Sequence, residues 1–205
     1  MNQTMKTPKT TKKSCNLKTE LEVKFPVKDI VNFLETINKR GIGKLKKTEY
    51  IRDIIFGCKG KNKKIRLRIQ NNFKNTSIEI IYKYKINCID NTKTEIEETI
   101  YHGNKIEDVR KTIRCCGDFK EENSYEKIRA TYLGGETEIT LDIYPYGVWV
   151  EIEGAPKKIW SMAKKLGYRK SQAITKNADE LYLDWNKKYR PKEFWDVRFG
   201  FTGKK

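Results

Sequence analysis

Glu20, Glu22 and Lys24 occupy alternate positions of Glu20-Leu21-Glu22-Val23-Lys24. In a β-strand, successive side chains point to opposite faces, so the three charges would share one face and Leu21 and Val23 the other. The pattern returns along the chain: Ile65-Arg66-Leu67-Arg68-Ile69, Tyr82-Lys83-Tyr84-Lys85-Ile86, Glu95-Ile96-Glu97, Lys127-Ile128-Arg129, Leu141-Asp142-Ile143 and Val150-Glu151-Ile152-Glu153. Some of these segments carry only acid and others only base. Arginine forks and lysine point charges on one face suit an anionic partner. Paired carboxylates suit a hard divalent cation.

The strands that carry these charges admit two arrangements. In one, the apolar faces are buried and the charges stand in solvent. In the other, the apolar faces pack under helices outside a closed barrel and the charges line a polar tunnel. Alternation alone is compatible with both. Charges of one sign per strand are unusual on a solvated face, where mixed signs avoid repulsion.

The chain has 205 residues, enough for one substantial domain, with 37% hydrophobic and 35% charged residues and a formal net charge of +17. That excess of base implies an anionic partner: phosphate groups, nucleic acid or an acidic surface. No stretch approaches the roughly 20 apolar residues that span a membrane, and no secretory leader is visible after Met1. The five cysteines include an adjacent pair, Cys115-Cys116, and no Cys-x-x-Cys. With a single histidine, His102, they indicate neither a disulfide framework nor a zinc site, and a reducing, cytoplasmic setting is expected.

Residues 1–17 read as a basic, disordered tail and Lys59-Gly60-Lys61-Asn62-Lys63-Lys64 as a basic hairpin turn. Either could touch nucleic acid. A helix is expected from Val27 to Arg40, between Pro26 and Gly41, with Ile30, Val31, Phe33, Leu34 and Ile37 as its apolar stripe. Strands are expected at 50–56, 64–70, 78–86, 93–101, 125–132, 136–144 and 147–153. Further helices are expected around Ile106–Cys116, after Pro156 as far as Gly167, and from Ala178 to Lys188. An aromatic tail, 189–205, with Phe194, Trp195, Phe199 and Phe201, would pack back on the domain. His102 reads as a turn residue, Tyr146 and Trp149 as structural, and Lys105, Lys111 and Lys120 as ordinary surface.

Glu20-x-Glu22-x-Lys24, followed in order by Arg66-x-Arg68, Lys83, Lys93-x-Glu95-x-Glu97, Lys127-x-Arg129, Asp142 and Gly147-Val148-Trp149-Val150-Glu151-Ile152-Glu153, resembles the CYTH proteins, the triphosphate tunnel metalloenzymes. The resemblance spans about residues 18–188 and includes the closing Leu166-Gly167-Tyr168. It implies an α+β fold: an eight-stranded antiparallel barrel, open at both ends, with flanking helices. It implies Mg²⁺ or Mn²⁺ held by Glu20, Glu22 and Glu153, with Glu95, Glu97, Glu151 and Asp142 completing the acidic set. Arg66, Arg68, Lys83, Lys85, Lys127 and Arg129 would bind the phosphates. Lys24 would contact phosphate or orient the glutamates, and with Glu151 and Asp142 it makes the expected catalytic group. The chain departs from the family pattern after Asp142, where Ile143-Tyr144 replaces a second acid, and at Thr175–Leu181, where the family often has Ser-Tyr.

The family runs two reactions on such a site. Attack of water on a terminal phosphorus makes a triphosphatase, acting on inorganic, nucleoside or organic triphosphate or on an RNA 5′-triphosphate. Attack of a ribose 3′-hydroxyl on the α-phosphorus makes a class IV adenylyl cyclase, which yields cyclic AMP and pyrophosphate. A non-catalytic phosphate- or RNA-binding protein is the reading from a different class. The family is often dimeric, so a homodimer is expected.

Overall fold

The computed structural model describes residues 16–58, 64–72, 74–89, 92–189 and 196–199. Eight strands form the frame: β1 (Asn16–Pro26), β2 (Lys44–Cys58), β3 (Lys64–Asn71), β4 (Thr76–Ile89), β5 (Thr92–Gly103), β6 (Phe119–Gly134), β7 (Thr137–Tyr144) and β8 (Gly147–Glu153). Between them lie α1 (Ile30–Lys39) and α2 (Ile106–Cys116), and after them α3 (Pro156–Lys165), α4 (Ala178–Tyr189) and a two-residue strand β9 (Asp196–Val197). The sheet runs β2-β3-β4-β5-β1-β8-β7-β6, and an antiparallel β2–β6 pairing closes it. Closure gives each of these strands a neighbour on both sides and removes the edges an open sheet would expose. The fold is therefore an α+β barrel of eight antiparallel strands with four flanking helices.

The alternation resolves into an outer apolar face and an inner charged one. Val23, Phe25, Leu141, Val150 and Ile152 point outward under α1 and α3, against Phe33, Ile37, Ile159 and Ala163. Phe25 is wholly buried, stacked on Tyr168 at 4.5 Å and edge-on to Trp160 at 6.4 Å. Ile65, Leu67, Ile78 and Ile80 form a second outer cluster with Val109 of α2. Each such side chain contributes about 1.5–3 kcal/mol by leaving water, so the helices drive the apolar faces outward and leave the charges to the interior.

The third apolar cluster bears on one end of the barrel. Tyr182 and Ala178 of α4 pack with Ile55, Tyr125, Tyr144 and Tyr146, with Trp149 and Trp185 alongside. Ile174 donates its backbone N–H to Lys24 O at 2.8 Å, and Lys24 Nζ donates to Lys176 O at 3.4 Å. Segment 174–178 and α4 thus lie across the Lys24 end, where the resemblance implies an opening.

Several boundaries differ from expectation. Pro26 is the last residue of β1, paired with Trp149, and the first helix begins only at Ile30. Asp29 sets that start: its carboxylate accepts from Asn32 N at 2.9 Å, which satisfies a helix N–H that lacks an intrahelical partner. β1 begins at Asn16, and β2 and β6 extend well past the expected spans. His102 lies within β5, with its Nδ1 3.0 Å from Glu79 Oε1, so it is a strand residue and not a turn. Val197 of β9 pairs with Tyr125, and Phe199 N donates to Glu126 Oε2 at 3.1 Å. Residues 1–15, the basic turn 59–63, Asp90-Asn91 and most of the aromatic tail, including Phe194, Trp195 and Phe201, lie outside the described residues.

Candidate active site

The barrel encloses a cavity of about 210 Å³ lined by charge. Its two walls are set by strand order. β5, β1 and β8 are consecutive neighbours, and their inward positions bring Glu95 and Glu97, Glu20 and Glu22, and Glu151 and Glu153 onto one acidic wall. Register places Glu20 opposite Glu95, Glu22 opposite Glu153 and Lys24 opposite Glu151. Arg66 and Arg68 of β3, Lys83 of β4, and Lys127 and Arg129 of β6 line the same cavity as its basic side. The side chain of Lys85 lies outside the described residues.

The acids are held by cations. Lys93 Nζ sits 3.1 Å from Glu22 and 2.8 Å from Glu95, and Lys83 reaches both Glu95, at 3.2 Å, and Glu97. Burial would raise the Glu95 and Glu97 carboxyls, but the adjacent lysines, joined at Glu97 by Arg66, outweigh it and hold each down to about 2. Lys24 Nζ lies 2.8 Å from Glu151, which also accepts from Arg129 at 2.8 Å. Burial opposes charge on Glu151 too, and Lys24 and Arg129 overcome it, so the carboxyl stays well below the usual range. Glu20 behaves differently. Burial pushes its carboxyl up and Glu97 adds to the push, with Lys83 and Lys18 only partly offsetting them. That carboxylate is short of positive charge.

Asp142 is fully buried and accepts from Arg129 Nε and Nη2 at 2.6 and 2.5 Å, Lys127 Nζ at 2.9 Å and Tyr144 Oη at 3.2 Å. These donors fill its lone pairs. Lys127 is held down to about 8, chiefly by burial and then by Arg129, with Asp142 opposing the shift. Asp53 plays the same part on β2: fully buried, it takes a fork from Arg68 at 2.8 and 3.0 Å, with Arg66 3.7 Å away.

Nine basic and six acidic side chains line the cavity, and Glu49, Asp53, Glu95 and Asp142 stand buried beside them. The interior is therefore close to charge balance before any ligand enters. An anionic ligand would add negative charge, and a hard divalent cation would offset it. Among the described residues, no three acidic, His or Cys side chains converge on one metal position, because lysines interleave the carboxylates. The donor set nevertheless fits Mg²⁺ or Mn²⁺: hard oxygens on adjacent strands, an under-compensated Glu20, and an ammonium already seated between Glu20 and Glu153 as a stand-in cation.

The solved structures that resemble this barrel share its frame. A protein of Pyrococcus horikoshii OT3 aligns with a TM-score of 0.64 at 24% identity, over 80% of this chain and 98% of its own. A candidate adenylate cyclase of Vibrio parahaemolyticus aligns with a TM-score of 0.62 at 16% identity, over 81% of this chain and 98% of its own. A candidate adenylyl cyclase of Hippeastrum, described with a dominant triphosphatase activity, aligns with a TM-score of 0.54 at 14% identity, over 80% and 94%. The chain shares their fold, the closed eight-stranded antiparallel barrel. No family model and no curated protein matches the sequence. No described helix is long and apolar enough to cross a membrane.

The tunnel also holds residues to which sequence reasoning gave no role. Lys93 stood in the quoted Lys93-x-Glu95-x-Glu97, and its burial between two carboxylates was the missing fact. Glu49-x-Ile51-x-Asp53 alternates like the other segments, but one apolar residue breaks the charge pattern and hid Asp53. Lys18 reads in the sequence as one of the lysines of the basic tail, although it sits two positions before Glu20 on the same strand face. Tyr125 and Tyr144 line the cavity at the α4 end with no signal in the charge alternation.

Proposed function

We propose that this protein is a divalent-metal-dependent hydrolase of triphosphate substrates. The observation that carries the reading is an acidic wall and a basic side facing one cavity inside a closed barrel. Arg66, Arg68, Lys83, Lys127 and Arg129 would bind the phosphate oxygens, with Asp53 and Asp142 fixing the arginine forks in place. Glu20, Glu22 and Glu153 would hold Mg²⁺ or Mn²⁺, and Glu95, Glu97 and Glu151 complete the acidic wall. The bound ion would supply Lewis-acid neutralisation of phosphate charge. Lys24, buried and anchored to Glu151, would present a fixed ammonium at the α4 end of the cavity. Asp142, with its lone pairs occupied, acts through Arg129 and Lys127 and takes no direct part in the bond change. Hydrolysis asks least of such a site, since it needs neither base recognition nor alignment of a ribose hydroxyl.

The test is product analysis across inorganic triphosphate, ATP and a 5′-triphosphorylated RNA, each with Mg²⁺ or Mn²⁺. Orthophosphate release that requires the metal supports the reading, and Glu22→Gln and Glu153→Gln should abolish it while leaving the fold intact. Cyclic AMP and pyrophosphate from ATP would replace it with cyclisation. Tight, salt-sensitive anion binding without turnover would make the protein a binder.

A further inference from the structure

Four lysines hold the acidic wall, and they differ in freedom. The side chains of Lys24 and Lys93 are 5% exposed and that of Lys83 is 19% exposed. The Lys18 side chain is 61% exposed, yet its ammonium lies 3.0 Å from Glu20 Oε1 and 2.8 Å from Glu153 Oε1. It enters from the start of β1 and bridges carboxylates on two neighbouring strands.

We propose that Lys18 is a tethered competitor for the divalent cation: it seats between Glu20 and Glu153 when no metal is bound and swings into solvent when one arrives. The inference rests on the metal-binding reading above and goes beyond it by naming what that metal must displace. An ammonium and a divalent ion are drawn to the same carboxylate oxygens, and two cations at one seat repel each other. Lys18 can leave because its own side chain reaches water, and an arriving ion would take over the neutralisation of Glu20 and Glu153, which are 13% and 29% exposed. Lys93 and Lys24 are themselves 5% exposed, so neither ammonium can reach water without opening the wall. Lys18 is thus the one described lysine on this wall that is free to leave. While seated, it also relieves the repulsion between Glu20 and Glu153, keeping the pair assembled in the metal-free protein.

Mn²⁺ titration of the full chain by calorimetry tests this, with loss of the free-ion paramagnetic resonance signal as a second readout. The proteins are wild type, Lys18→Gln, Lys18→Arg and, as a charge-removal control away from the cavity, Lys39→Gln. Lys18→Gln should bind Mn²⁺ about five- to tenfold tighter, as expected for removing two ion-pair contacts and one positive charge from the seat. Lys18→Arg and Lys39→Gln should stay within about twofold of wild type. Equal or weaker binding by Lys18→Gln, with wild type still binding Mn²⁺, overturns the role of Lys18 and leaves the metal reading standing. Absence of Mn²⁺ binding in all four proteins overturns the metal reading, and this proposal with it.

Discussion

Replacing Asp53 by Asn should cost about 3–5 kcal/mol of folding stability, the range found when one member of a buried charge pair is removed. Asp53 is fully buried and takes two hydrogen bonds from Arg68, with Arg66 3.7 Å away, and both arginine side chains are close to 90% buried. The variant leaves the Arg68 guanidinium in the barrel without its carboxylate, while Arg66 keeps Glu97 at 3.9 Å. With a urea dependence of about 2 kcal/mol per molar, the unfolding midpoint should fall by about 2 M. The same change frees Arg68 for an anion. A ligand at 100 times its dissociation constant adds about 2.7 kcal/mol, so tripolyphosphate should restore much of the loss in Asp53→Asn. The pH dependence has a definite sign. Burial would raise the Asp53 carboxyl, but Arg68 and Arg66 hold it below its ordinary value of 3.8. Its stabilisation is complete above 3.8 and is lost as pH falls through the lower folded value. The gap between wild type and variant should therefore be constant from neutral pH down to mild acid and close only in strong acid. Urea unfolding at several pH values, with and without tripolyphosphate, measures all of this. A loss below about 1 kcal/mol at neutral pH would refute the reasoning, because no buried charge would then have been stranded.

Lys127, faced by Arg129 on β6, Asp142 and Tyr144 on β7, Arg68 on β3 and Glu151 on β8, should lose its charge near pH 8, so tripolyphosphate affinity should fall between about pH 7 and 9, and Lys127→Arg should flatten that profile in a binding titration. Stability has the opposite sign: the folded value lies below the unfolded 10.5, so the ligand-free protein should gain stability in thermal scans as pH rises from 8 toward 10.5. Phe25→Ala removes a wholly buried ring stacked on Tyr168 and edge-on to Trp160 and should cost about 3–5 kcal/mol in urea unfolding without touching the charged interior. Gly154, at φ +155 with Glu136 O 3.2 Å from any added Cβ, follows Glu153 directly, and Gly154→Ala should cost about 1–3 kcal/mol and lower the thermal midpoint.

The amino-acid sequence by itself determined which residues share a strand face. Alternation has a period of two and is local, so Glu20 with Glu22, Arg66 with Arg68 and Glu151 with Glu153 were paired before any fold was known. The apolar stripes of the helices were equally legible, because 3.6-residue periodicity is local too. Only the tertiary structure decided that these faces point inward, since that depends on β2 meeting β6 and on helices covering the outside. Closure and strand order set residues 20–22, 95–97 and 151–153 side by side as one acidic wall. The same contacts gave each acid its cation: Asp142 its arginine and lysine, Asp53 the Arg68 fork, and Glu20 and Glu153 the exposed Lys18. Those partners lie on different strands, and a periodicity of two residues carries no information about which strands become neighbours.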